Sequence, residues 1–304
     1  MICTPVSRVS RLFRPVSFAP VGPLLALACI VAPLTGCGNS ASTKAPLAPV
    51  ALVTALPSIP LNTTAQAAVD QILATGVSPL DAATALQRMA QIQASAGGFN
   101  LAVSQAMGVA YAAQAGVGGL ALTQALESIS ATSPGSVSPV TGASTENAVA
   151  ALTGFPAGLD TAAKAQFALQ MEQGRAALEL LAPAGASVAA FPASVQKEIT
   201  VTASLHAVRL VKQVAGTAFP MNMSAGEFEA AVGTNFTPAV QAELGRTVSL
   251  ALQTRAQVEQ SFSDGNDATT QVVRAMLTAM TGTETSGTVT AADLMRLGAA
   301  LRSF

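Results

Sequence analysis

Half of the 304 residues are hydrophobic, yet only 4% are aromatic, with no Trp and a single Tyr, Tyr111. Charged residues make up 10%, against roughly a quarter in an average soluble domain. Fifteen Lys and Arg face 16 Asp and Glu, without a basic stripe or interleaved aromatics, which excludes the electrostatic footprint of a nucleic-acid binder. A core of Ala, Leu, Val and Met suits closely packed helices better than an aromatic-rich sandwich.

Residues 1–20 hold Arg8, Arg11 and Arg14 and no acid, and the run from Val21 to Leu34 is apolar apart from turn-formers. That run is too short for a span of about 20 residues and fits the apolar region of a secretory leader. It closes on Leu34-Thr35-Gly36-Cys37, which resembles the lipobox of bacterial lipoproteins. The resemblance implies cleavage before Cys37 by signal peptidase II. It further implies diacylglycerol on the Cys37 sulfur and acylation, such as palmitate, of the new amino group. Two or three acyl chains, at roughly 0.8 kcal/mol per buried CH₂, give a stable anchor to the membrane of the cell envelope. Gly38 follows, with no Asp there, which resembles the default for outer-membrane sorting, facing the periplasm. Cys3 and Cys29 fall in the leader, so Cys37 is the one cysteine expected in the mature chain. Neither an intramolecular disulfide nor a Cys-built metal site is expected.

Residues 37–61 are rich in Ser, Thr, Ala and Pro (Pro46, Pro49, Pro57, Pro60) and read as a flexible tether. From Asn62 the punctuation is helical. A first helix runs from Asn62 or Thr63 to Gly76, and a second opens on Ser78-Pro79-Leu80-Asp81 and ends at Gly97-Gly98. A third runs from Asn100 to about Gly116, and a fourth covers about 119–131. The turn-rich stretch Ser133–Thr145 marks a linker, 132–145, between helical subdomains at 62–131 and 146–304. Further helices are expected over Glu146–Leu152, Asp160–Leu181, Pro192–Ala215, Ser224–Val232, Pro238–Ser263, Asp267–Met280 and Ala291–Arg302. Ser224 with Glu227, and Thr290 with Asp293, read as capping boxes. In the Pro238 helix, Val240, Leu244, Val248, Ala251, Val258 and Phe262 form one stripe at helical spacing, a core face. Phe155-Pro156, Phe191-Pro192 and Phe236-Thr237-Pro238 repeat one recipe, a Phe that pins the entry and a Pro that starts the helix. Nothing in the mature chain combines β-branched richness with period-two alternation. The expected fold class is all-α, a multi-helix bundle in two subdomains after a cleaved leader and tether.

Four features bear on chemistry. Pro192-Ala193-Ser194-Val195-Gln196-Lys197 resembles the Pro-Ala-Ser-x-x-Lys motif of penicillin-binding proteins and serine β-lactamases. The resemblance implies a Ser194 nucleophile at a helix N-terminus, with Lys197 easing its deprotonation, in an acyl enzyme acting on peptidoglycan or a small ester. That family's Lys-Thr-Gly-type strand has no counterpart, since no Lys here precedes Thr or Ser and then Gly. Gly282–Asp293 resembles an EF-hand loop, with Gly287 at the turn and Asp293 at the last ligand position. Gly282 replaces the first acid, so the loop reads as helix–loop–helix with a Thr290 cap. His206 shares a helix face with Val195, Ile199 and Leu210 and reads as a partly buried, hydrogen-bonded core residue. No charge lies between Arg88 and Glu127, where Ser104, Gly108, Ala112 and Gly116 recur every fourth residue. Small residues so spaced let helices approach closely, and a tightly packed helical hairpin is expected over 89–126.

The expected function is a lipid-anchored envelope protein whose body is a non-enzymatic helical binding or structural module. Its expected partners are the membrane, through lipid on Cys37, and an envelope protein, with no cofactor or metal. The alternatives are the Ser194/Lys197 acyl enzyme and membrane interaction through residues 97–126.

Overall fold

Eight α-helices and no strand are present among the residues that the computed structural model describes, which are 59–124, 161–216, 223–256, 277, 278, 280 and 289–302. The leader with Cys37, nearly all of the tether, the 132–145 linker, Glu146–Leu152, most of Asp267–Met280 and most of the Gly282–Asp293 loop lie outside the described residues. The described helices all belong to one unit, Ala51–Phe304, and those from either side of the expected linker share a single main core.

The caps set the helix boundaries. Helix α1, Thr63–Thr75, starts where the Asn62 side chain accepts a hydrogen bond from the Ala65 N–H at 2.9 Å. Helix α2 is Ala82–Ala96. The expected start at Pro79 is corrected, because residues 79–81 form a turn in which the Asp81 N–H donates to Ser78 Oγ at 3.2 Å. Helix α3, Leu101–Ala115, is capped by Asn100 and ends at Gly116, whose φ of 72° is left-handed and suits glycine. A further helical segment opens at Gly119 and is described to Gln124.

Helix α4 is Thr161–Leu181, and a 3₁₀ turn at Val188–Ala190 leads into helix α5, Ala193–Ala215. Helix α6, Ala225–Asn235, begins with the expected capping box of Ser224 and Glu227. Helix α7, Pro238–Gln253, has Thr237 as its cap and Pro238 in its first turn. It is capped at Thr254, residues 255 and 256 are again helical, and 257–263 of the expected helix lie outside the described residues. The Thr254 hydroxyl bonds back to Leu250 O at 2.8 Å and receives the Thr200 hydroxyl at 2.7 Å. Helix α8, Ala291–Arg302, opens on Thr290 and Asp293, whose groups exchange hydrogen bonds in both directions. Phe191 is buried and Phe236 half-buried against the core, as the shared entry recipe requires.

Helix α5 lies at the centre, packed against α4, α6 and α7 and touching α1, α3 and α8. Eighteen of its 23 residues are buried, and from Ile199 to Lys212 it has no solvent face. Beside it, α3 packs most extensively on α4. There the small residues act as expected. A Cβ at Gly108 would lie 2.9 Å from both Ala177 O and Leu181 N, and Ser104 Oγ donates to Leu180 O at 3.1 Å. The partner is thus α4 rather than a sequence neighbour. A smaller core of Val69, Met89, Val103 and Ala106 ties α1, α2 and α3 together.

Gly108→Ala should therefore lower unfolding free energy by about 2 kcal/mol, because backbone atoms cannot yield to the added methyl. Gly233→Ala, which meets nothing within 4 Å in α6, should be neutral or stabilising by up to ~1 kcal/mol. Urea denaturation of both variants checks the contrast, and equal effects would contradict it.

Candidate functional site

The first turns of α5 face the end of α1 and the segment that opens at Gly119. Between them lies a cleft of about 430 Å³. Its apolar wall includes Ile72, Leu73, Leu120 and Val201, and its polar side is Ser194, Lys197 and Glu198. Ser194, the second residue of the helix, is exposed, and Lys197 and Glu198 one turn later are half-buried. Both residues of the Ser-x-x-Lys motif therefore line one cleft.

Glu198 was not legible as a site residue. Its Oε1 and Oε2 each lie 3.2 Å from the Gly119 N–H, which donates to them across 79 positions of sequence. The approach requires glycines: a Cβ at Gly118 would come within 2.8 Å of Oε1, and one at Gly119 within 3.0 Å of Oε2. The carboxylate thus caps the segment from outside its own chain neighbourhood, a charge-assisted bond at a helix start. Desolvation pushes the Glu198 carboxyl up to about 7, against the Gly119 hydrogen bond and the charge of Lys197. The one sequence signal was the pair Gly118-Gly119 just past the end of α3.

Further along α5, His206 is fully buried rather than partly so. Its Nε2 lies 2.8 Å from Oε1 of Glu243 on α7. Nδ1 has no hydrogen-bond partner among the described residues and rests against Gly174, where a Cβ would stand 2.7 Å away. Glu243 is 26% exposed. Desolvation pushes its carboxyl up, but the His206 hydrogen bond and charge, with Arg175 and Arg246, bring it below the usual range. Two shallow clefts, of about 290 and 280 Å³, share Arg175 and Glu243.

One turn on, Arg209 and Lys212 are also buried. Desolvation lowers Arg209 to about 10, and desolvation with the Arg209 charge lowers Lys212 to about 7. Nε and Nη1 of Arg209 have no hydrogen-bond partner among the described residues. Among the described residues, no three His, Cys, Asp or Glu gather as a metal site. At the end of the loop with EF-hand resemblance, Asp293 is engaged with Thr290 through Oδ2 and with Arg296 through Oδ1 at 2.6 Å. Leu101–Gln124 is apolar and long enough to cross a membrane, but 56% of an 18-residue stretch of it is buried inside the bundle and Gly116 interrupts it.

No protein-family model, curated protein or solved structure matches this chain.

Glu198 makes stability depend on pH. Its folded value of about 7 lies above the ordinary 4.5, so the folded state holds the extra proton between those values. Stability is then greatest below pH 4.5 and falls as pH rises through 7, by up to about 3 kcal/mol from this group. Glu198→Gln should flatten that part of the stability profile measured by urea titration from pH 5 to pH 8. An unchanged slope would contradict the assignment.

Proposed function

We propose that the chain is a lipid-anchored protein of the bacterial cell envelope, held through Cys37, whose helical body is a non-enzymatic binding or structural module. The observation that carries this reading is Leu34-Thr35-Gly36-Cys37 at the end of an apolar run that follows three Arg. Gly38 favours the outer membrane, with the body facing the periplasm. The interior of the bundle supports a module over an enzyme. His206 is fully buried and held to Glu243 at the wall of the cleft of about 290 Å³, and Arg209 is buried, positions that serve packing between helices. Cys37→Ala should lose palmitate labelling and leave the membrane fraction. A variant that stays membrane-bound would contradict the anchor.

A second reading has one observation in its favour. Ser194 is exposed on the cleft wall that also carries Lys197, the placement a serine acyl enzyme of penicillin-binding type needs. Against it, no strand is present among the described residues to supply that family's third motif. Covalent labelling by a fluorophosphonate or fluorescent β-lactam, lost in Ser194→Ala, would support the acyl enzyme. Absence of labelling would remove it.

A further inference from the structure

We propose that the cleft between α1, the 119–124 segment and the start of α5 binds a small primary amine. Its apolar body would lie on Ile72, Leu73, Leu120 and Val201, and its ammonium would donate to Glu198. A carboxylate offers about four acceptor positions. The Glu198 oxygens share the single Gly119 N–H, so acceptor capacity remains on a group that lines the cleft. An ammonium brings three donors and a positive charge to that position.

The rest of the wall selects for the same chemistry. Among the described residues lining the cleft, Lys197 and Glu198 are the charged ones, and α1 and the 119–124 segment contribute none. An anionic ligand would meet a desolvated carboxylate, and a neutral one would add nothing to the balancing charge of Lys197. Desolvation of Glu198 outweighs both Lys197 and the Gly119 hydrogen bond, so a further cation at this position is favourable. A volume of about 430 Å³ lies in the range of small-molecule sites, roughly 300–1,000 Å³. Helix ends and a glycine pair hold the walls, so the site exists before the ligand arrives.

The test compares three probes of equal chain length, hexylamine, hexanol and hexanoate, titrated calorimetrically into the full chain at pH 8 and pH 6. Hexylamine should bind at least tenfold more tightly than hexanol at pH 8, with hexanoate weakest. Its affinity should fall about tenfold at pH 6, as Glu198 takes up a proton. Glu198→Gln should abolish both the amine preference and the pH dependence. Leu120→Trp, which fills the cleft and leaves Glu198 intact, should abolish binding of all three probes. Hexylamine binding no tighter than hexanol binding would overturn the proposal, and so would an amine preference that survives Glu198→Gln or probe binding that survives Leu120→Trp. Cys37→Ala should bind hexylamine as the parent chain does, which separates a failure here from a failure of the envelope assignment.

Discussion

A helix buried along most of its length must satisfy its polar side chains inside the protein, and α5 carries many of them. Water is absent to accept or donate, so each unmade bond costs about 1–3 kcal/mol. Most of the groups are answered from a different neighbour. Gln196 donates to Phe191 O at 2.7 Å at the entry to the helix. Thr200 meets Thr254 past the end of α7, and His206 meets Glu243 within α7. Glu198 holds the segment that follows α3, and Asn235 at the end of α6 donates to Val214 O at 2.8 Å. These bonds fix the height of each neighbouring helix along α5, which apolar contact alone would leave free to slide. Thr202 Oγ, Ser204 Oγ and two nitrogens of Arg209 have no such partner.

The small-residue surfaces serve the same constraint. With few aromatics, the bundle gains its packing by bringing backbones close, at Gly108 against α4 and at Gly174 against the His206 ring. Close approach shortens the reach needed for side-chain to backbone bonds, such as Ser104 to Leu180 and Arg246 to Ala182. A poverty of charge and a richness in Ala and Gly are therefore one property: helices that touch this closely leave little room for long solvated side chains.

Helical class was legible because it rests on local signals. Asn62, Asn100, Ser224 with Glu227, Thr237 with Pro238, and Thr290 with Asp293 each act within three residues, and sequence displays that range. Pro79 misled, since the bond between Ser78 and Asp81 closes a turn ahead of α2. The cap of α7 at Thr254 was unreadable because that residue is partnered with Thr200, 54 positions away. The interior of α5 was unreadable for the same reason. Thr200, Thr202, Ser204, Arg209 and Lys212 have the composition of a solvated face, and the partner that holds Thr200 inside is 54 positions away. Of the candidate site, Ser194 and Lys197 could be found from a motif, whereas Glu198 gains its role from Gly119. Cys37 is specified by the leader and lies outside the described residues.

Native-state hydrogen exchange tests the central position of α5 most directly. If the helix is the element on which the others are fixed, its amides from Ile199 to Val211 should exchange only by global unfolding, with the slowest rates among the described helices. They should be slower than those of α1 and α8, which touch it only lightly. Amides of α5 that exchange as fast as those of α8, through local opening, would contradict the account.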